Sequence, residues 1–483
     1  MQRSSVKKNT IFSIIKTASG IIYPLITFPY ISRVLMAENV GKVNFGNSIV
    51  SYFSLIASLG VSTYAIRECS KARDNQEELD RTASQIFSIN IVSTLISYLA
   101  LVITLIVARP LDNYRELICI QSATILFTTL GADWINSAME DFKYVAVRTI
   151  GMQLVSLALM LVFVRKPEDY TKYAVISVFA LSGANVINIF YRRKFCKTRF
   201  TIHMDIRKHL PPILLMFSMI LSQTIYTNSD TTILGLFRGD YEVGLYSTAV
   251  KIYHLVNTMI ASVAWVVMPQ LSSGFAKKDY QEVNRLLKYS LNFIIVLGLP
   301  CIVGVNSIAL PIIDLLAGEG YYGSVIALHI LTITLAFSLL GGWIGNMTML
   351  PAGREKICLL SCGVSALVNI ILNMILIPLF GLNSAATTTA IAECVGVCIL
   401  SRYVDKNIKI NNLMDMIKAP VVGSICIAIV AFIVRICIDS YPIVCIVTIF
   451  LSIMVYGIVL ILMKNEFSMS FINPILNKIK KGR

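Results

Sequence analysis

Apolar runs long enough to cross a bilayer follow one another along almost this entire chain, separated by short polar seams. A spanning helix needs about 20 mostly apolar residues, and the stretches 84–107, 213–237 and 443–463 meet that length. Fourteen runs qualify, near 10–32, 43–66, 84–108, 115–137, 145–164, 171–191, 212–237, 244–268, 287–316, 324–350, 357–379, 382–404, 417–438 and 442–463. With 56% hydrophobic and 14% charged residues, nothing remains from which to build a sizeable soluble domain. The expected fold class is all-α, a polytopic membrane protein of about fourteen transmembrane helices.

The net charge of +15 does not point to nucleic acid, because the Lys and Arg are spread over many short loops rather than gathered on one face. Assigning successive gaps alternately to two sides, with residues at span ends counted to the adjoining gap, puts 31 Lys/Arg on the side of the N-terminus and 9 on the other, and leaves only Lys16 and Lys251 inside spans. Basic short loops stay cytoplasmic, so both termini are expected in the cytoplasm. The first apolar run, with no small-residue cleavage site after it, reads as a retained helix.

The eleven Cys lie mostly within apolar runs and the four His are scattered, so neither a metal site nor a cofactor is expected. HExxH, GxSxG and P-loop patterns are absent, and the outer gaps are too short to house a catalytic domain. An enzyme is not expected. A channel would want a re-entrant filter, which leaves a transporter as the better reading.

The longest polar interruption, 192–209, carries seven Lys/Arg and precedes Pro211-Pro212, which are expected to open the seventh span. It reads as the joint between two six-span halves, so that parallel repeats would be related by an axis along the membrane normal. The expected divisions are an N-terminal lobe at 1–205, a C-terminal lobe at 206–405, and an appended pair of helices with a basic tail at 406–483. Val40-Gly41 and Val243-Gly244, before the second and eighth spans, are a faint sign of repetition.

Four spans carry polar residues at steps of three and four, which puts each set on one helix face. They are the first two of each half: Ser13 to Thr27, Asn44 to Ser62, Ser218 to Asp230, and Ser247 to Ser262. Such stripes can line a cavity or can pack helix on helix, and the third and eleventh spans show them too. Ionisable groups are more telling, since in hydrocarbon each needs a partner or water. Lys16 lies toward the cytoplasmic side of its span, while Lys251 and Asp230 lie toward the outer side; Asp133 is near the cytoplasmic end of the fourth span and Glu393 is mid-span. Lys16 and Lys251 could present positive charge to an anionic substrate. Asp230 could neutralise Lys251, or the two could simply form a structural pair. Arg67, at the cytoplasmic end of the second span, either assists substrate capture or sets topology beside Glu68.

Several stretches resemble a known family. These are Ser32-Arg33-Val34-Leu35 through Val40-Gly41, Tyr64-Ala65-Ile66-Arg67-Glu68, Asp133-Trp134, Glu140-Asp141-Phe142-Lys143-Tyr144 with Arg148, and Glu242-Val243-Gly244-Leu245-Tyr246-Ser247 with Lys251. They are similar to the bacterial polysaccharide (O-antigen/capsule) flippases of the multidrug/oligosaccharidyl-lipid/polysaccharide exporter superfamily. The resemblance implies two pseudo-symmetric six-helix lobes plus two C-terminal helices, in the bacterial inner membrane. It implies a transporter that flips undecaprenyl-diphosphate-linked oligosaccharide from the inner to the outer leaflet for O-antigen, capsule, lipopolysaccharide or exopolysaccharide synthesis. The expected substrate-binding residues are Lys16, Arg67, Asp230 and Lys251. Expected partners are the lipid-linked oligosaccharide and membrane lipid, with a polysaccharide polymerase and assembly proteins as further candidates. The alternatives are a multidrug or other small-molecule exporter of the same superfamily, and a non-transporting scaffold of a polysaccharide assembly complex.

Overall fold

A computed structural model describes residues 6–410, 412–465 and 467–469, and all regular structure among them is helical. The chain divides into two compact units, Met1–Gly244 and Leu245–Arg483. The first holds α1 (Val6–Ser58), α2 (Val61–Lys71), α3 (Gln76–Val107), α4 (Arg115–Gly131), α5 (Trp134–Ala138), α6 (Phe142–Phe163), α7 (Tyr170–Tyr191) and α8 (Ile206–Arg238). Then α9 (Asp240–Ala261) leads into the second, with α10 (Val263–Ala276), α11 (Tyr280–Ser307), α12 (Ala309–Leu316), α13 (Ser324–Gly342), α14 (Glu355–Phe380), α15 (Leu382–Arg402), α16 (Leu413–Cys437) and α17 (Tyr441–Leu462). A π-helical stretch, Trp343–Met349, continues α13.

Among the described residues, twelve helical stretches are long and apolar enough to span a membrane. One of them, Ile11–Lys71, carries two of the expected spans, because α1 is broken at Met36. The expected eighth span corresponds to α9 and α10, two successive helices that are not among the twelve. About fourteen spans therefore fit the fold.

Helix faces are inverted relative to a water-soluble protein. On α3, Ser88, Asn90, Ser93 and Ser97 are buried while Leu95, Leu99, Ile103 and Ile106 are exposed. This follows from a lipid solvent: apolar side chains lose nothing by facing it, and polar ones need partners inside. The α3 stripe finds them on α1, where Asn90 and Ser93 donate to Ala57 O at 2.7 and 2.6 Å and Ser97 donates to Phe53 O at 2.6 Å. This stripe packs helices. In the second unit Ser361 and Ser365 of α14 likewise donate to Gly396 O and Ala392 O of α15. There the appended pair α16–α17 packs on α11, with Tyr456 donating to Val296 O at 2.6 Å.

The gaps before the second and eighth expected spans narrow to single residues of matching conformation, Met36 (φ 62°, ψ 170°) and Gly239 (φ 87°, ψ 179°). The glycines five positions on contact each other's loops reciprocally. A Cβ on Gly41 would lie 1.8 Å from Asp240 O, and one on Gly244 would lie 1.9 Å from Ala37 O. Only hydrogen fits at either place, so the paired Val-Gly signals mark a backbone-to-backbone crossing. Burial there pushes the Asp240 carboxyl above its ordinary range, although Tyr114 donates to it at 2.6 Å.

The polar interruption after α7 is a strap laid along the start of α3. Gln76 Nε2 donates to Phe195 O, Lys197 N to Asp80 Oδ1, Arg199 N to Ser84 Oγ, and Thr201 N to Ser88 Oγ. Steps of four along a helix rise about 6 Å and steps of two along an extended chain about 6.6 Å, so the two registers match. Gln85 then donates to His203 O at 3.1 Å, which turns its Oε1 to His209 Nε2 at 3.1 Å. The His209 Nε2–H therefore donates, and its Nδ1 accepts from Tyr64 OH at 2.8 Å. The helix that follows begins at Ile206, ahead of the prolines: Pro211 and Pro212 lie inside α8 rather than opening it. Their missing N–H groups release only carbonyls at the polar end of the helix, where water can bond them.

Candidate functional site

The second arm of α1 resolves the other polar stripe differently from α3. Asn47, Ser51, Ser54, Ser58 and the following Ser62 line a cavity of about 490 Å³ in the first unit, bordered also by Thr124 and Thr128 of α4 and by Thr224 and Asn228 of α8. That size is within the range of ligand sites, about 300–1,000 Å³. Its walls offer hydroxyls and amides, and Asp133 is the one ionisable residue among those lining it.

Local structure fixes Asp133. Helix α4 ends where Ala132 turns into the left-handed region (φ 46°), leaving Asp133 at the cap position of the short α5. Two fully buried amides lock this break: Asn136 Nδ2 donates to Asn188 Oδ1 at 2.6 Å, and Asn188 Nδ2 donates to Gly131 O at 2.8 Å. Arg148, buried on α6, donates through Nη2 to Asp133 Oδ1 and through Nη1 to Ala184 O at 3.1 Å. Its guanidinium also stands 5.3 Å over the Tyr144 ring. On the other carboxylate oxygen, Asp133 Oδ2, Lys16 Nζ approaches to 3.9 Å. Two cations thus flank one acid beside the cavity.

Of the residues expected from sequence, Lys16 is therefore at the cavity's acid. Arg67 is exposed in the second half of α2, with Nε 3.2 Å from Glu68 Oε1, which Lys71 also approaches at 2.9 Å. Asp230 is buried on α8. Lys251 is half-buried on α9, in the second unit. The sequence noted Asp133 and Arg148 but assigned neither to the site. Fifteen residues and a helix break separate them, so no helical spacing pairs them. Among the described residues no three His, Cys, Asp or Glu side chains gather to hold a metal ion.

These helices build a polytopic membrane protein. The chain is similar to the solved structure of a lipid II flippase MurJ in an inward closed conformation, with a TM-score of 0.73 and 20% identity, over 97% of this chain and 100% of that one. It is also similar to an inward-facing multidrug resistance MATE family transporter of the MOP superfamily, with a TM-score of 0.58 and 15% identity, over 81% and 99%. At such identities the likeness concerns the fold. The family model described as "Polysaccharide biosynthesis protein" matches residues 6–275, more than half of the chain, and the chain belongs to that family. Among curated relatives, the "Putative O-antigen transporter" of Escherichia coli (strain K12) is 22% identical over 83% of this chain and 97% of its own length. The "Capsular polysaccharide biosynthesis protein CapF" of Staphylococcus aureus is 21% identical over 76% and 91%.

Proposed function

We propose that this protein is a flippase that carries an undecaprenyl-diphosphate-linked oligosaccharide from the inner to the outer leaflet of a bacterial inner membrane, feeding O-antigen, capsule or exopolysaccharide synthesis. The observation that carries the reading is the cavity itself: a space lined largely by hydroxyl and amide side chains, between helices whose outer faces are apolar. A glycan needs many hydrogen-bonding partners and a diphosphate needs cations, while the polyprenyl tail can stay in lipid. The family, together with relatives named for O-antigen transport and capsule synthesis, supports the same class of cargo.

On this reading the termini face the cytoplasm, and the lobes are 1–205 and 206–405, with the remainder appended. Lys16, Arg67, Asp230 and Lys251 serve the cargo. Lys16 acts in loading and Lys251 in transfer, so Lys16→Ala blocks uptake into the protein and Lys251→Ala leaves cargo bound but untransferred. One observation favours a second reading, export of organic cations: the ionisable group lining the cavity is acidic. Two flanking cations offset it. A deletion strain separates the readings. Loss of surface glycan with unchanged drug susceptibility supports the flippase, and heightened drug susceptibility with intact glycan supports the exporter.

A further inference from the structure

The three charges at the cavity are held very unequally. Arg148 is tied down: its side chain is 5% exposed, one arm of the guanidinium donates to Asp133 and the other to a main-chain carbonyl. Asp133 is held on one oxygen only, by Arg148 and at 3.5 Å by Asn136. Its second oxygen faces Lys16, at 3.9 Å, beyond hydrogen-bonding reach. The Lys16 side chain is 43% exposed, and among the described residues this is the ammonium's ion-pair contact. An ammonium on a four-carbon stem, attracted but not bonded, is free to turn to a stronger anion.

An acid beside the cavity of an anion carrier would otherwise repel the cargo. We propose that Asp133, clamped by Arg148, is the exchangeable counter-ion of Lys16: it parks the ammonium beside the empty cavity and yields it to a phosphate of the cargo. When cargo leaves, the carboxylate takes the ammonium back and so assists release. Arg148 keeps Asp133 from following Lys16 and keeps the acid's charge partly neutralised while Lys16 is away. Asp133 is thus a positioning residue, acting on cargo through Lys16. This inference rests on the diphosphate-lipid reading above.

The test uses the full-length protein in nanodiscs with undecaprenyl diphosphate as probe and undecaprenol as the headgroup-free control. Wild type is expected to bind the diphosphate saturably and the alcohol not at all; failure there overturns the cargo reading and this inference with it. Given wild-type binding, Asp133→Asn is expected to bind several-fold more tightly, because Lys16 is no longer shared, and yet to transfer glycan more slowly in cells. Asp133→Glu, which keeps the charge, should bind as wild type and so reports on folding. In a Lys16→Ala background, where loading fails but the residual equilibrium binding is read at raised probe concentration, Asp133→Asn should change affinity no further. Binding by Asp133→Asn that is unchanged or weaker overturns the proposal. So does tightening of equal size without Lys16, which would mean a general field effect.

Discussion

Gly41 and Gly244 are side-chain-free because each lies against the other loop's backbone, at Asp240 O and Ala37 O. An added methyl would need the two chains to separate, and backbone cannot rotate away as a flexible side chain can. Gly41→Ala and Gly244→Ala are each expected to cost about 1–3 kcal/mol or more, seen as a lowered unfolding temperature of the purified protein. Gly151→Ala on α6, where nothing lies within 4 Å, should leave it unchanged or slightly raised. Equal behaviour of all three would contradict the crossing. The sequence held this contact only as two Val-Gly pairs 203 positions apart, a weak signal because apolar helices match one another easily. Lys16 was legible as a charge with no place in lipid. Its partner was not, because Asp133 reaches it only through the left-handed turn at Ala132.

At the scale of the element, the strap 195–203 converts a run that reads as a basic linker into a docked segment of the first unit. Its main-chain groups are satisfied by α3 side chains rather than by water, through Asp80, Ser84 and Ser88. Removing one acceptor should free one amide. Ser88→Ala is expected to raise hydrogen exchange at Thr201 roughly fivefold, the equivalent of about 1 kcal/mol. Ser84→Ala should do the same at Arg199, each without changing the other site as strongly. Exchange indifferent to both substitutions would mean that the strap is not held by these bonds. The same polar spacing on α3 serves both jobs, strap docking near its start and packing on α1 further along. Periodicity in the sequence shows which residues share a face but not what lies against it. That is why the stripe on α1 beyond Asn44 and the stripe on α3 looked alike and proved different.

For the whole molecule, the membrane-spanning character, the near-complete helicity and the number of spans were legible because bilayer thickness sets helix length and the lipid forbids loose backbone. The cavity was legible in outline, as polar residues on faces that lipid would not accept. Its charge arrangement depended on tertiary contacts within the first unit, which no spacing rule encodes. The activity proposed for the whole molecule is transfer of a diphosphate-linked glycan between leaflets. Its most direct measurement is reconstitution of the purified protein in liposomes loaded on one leaflet with undecaprenyl-diphosphate-linked oligosaccharide, probed with a membrane-impermeant lectin on the other. Protein-dependent appearance of glycan on the far leaflet is expected, slowed about tenfold or more by Lys16→Ala at equal protein content, a loss of about 1.4 kcal/mol or more. Glycan that remains on the loading leaflet at the rate of protein-free liposomes would contradict it.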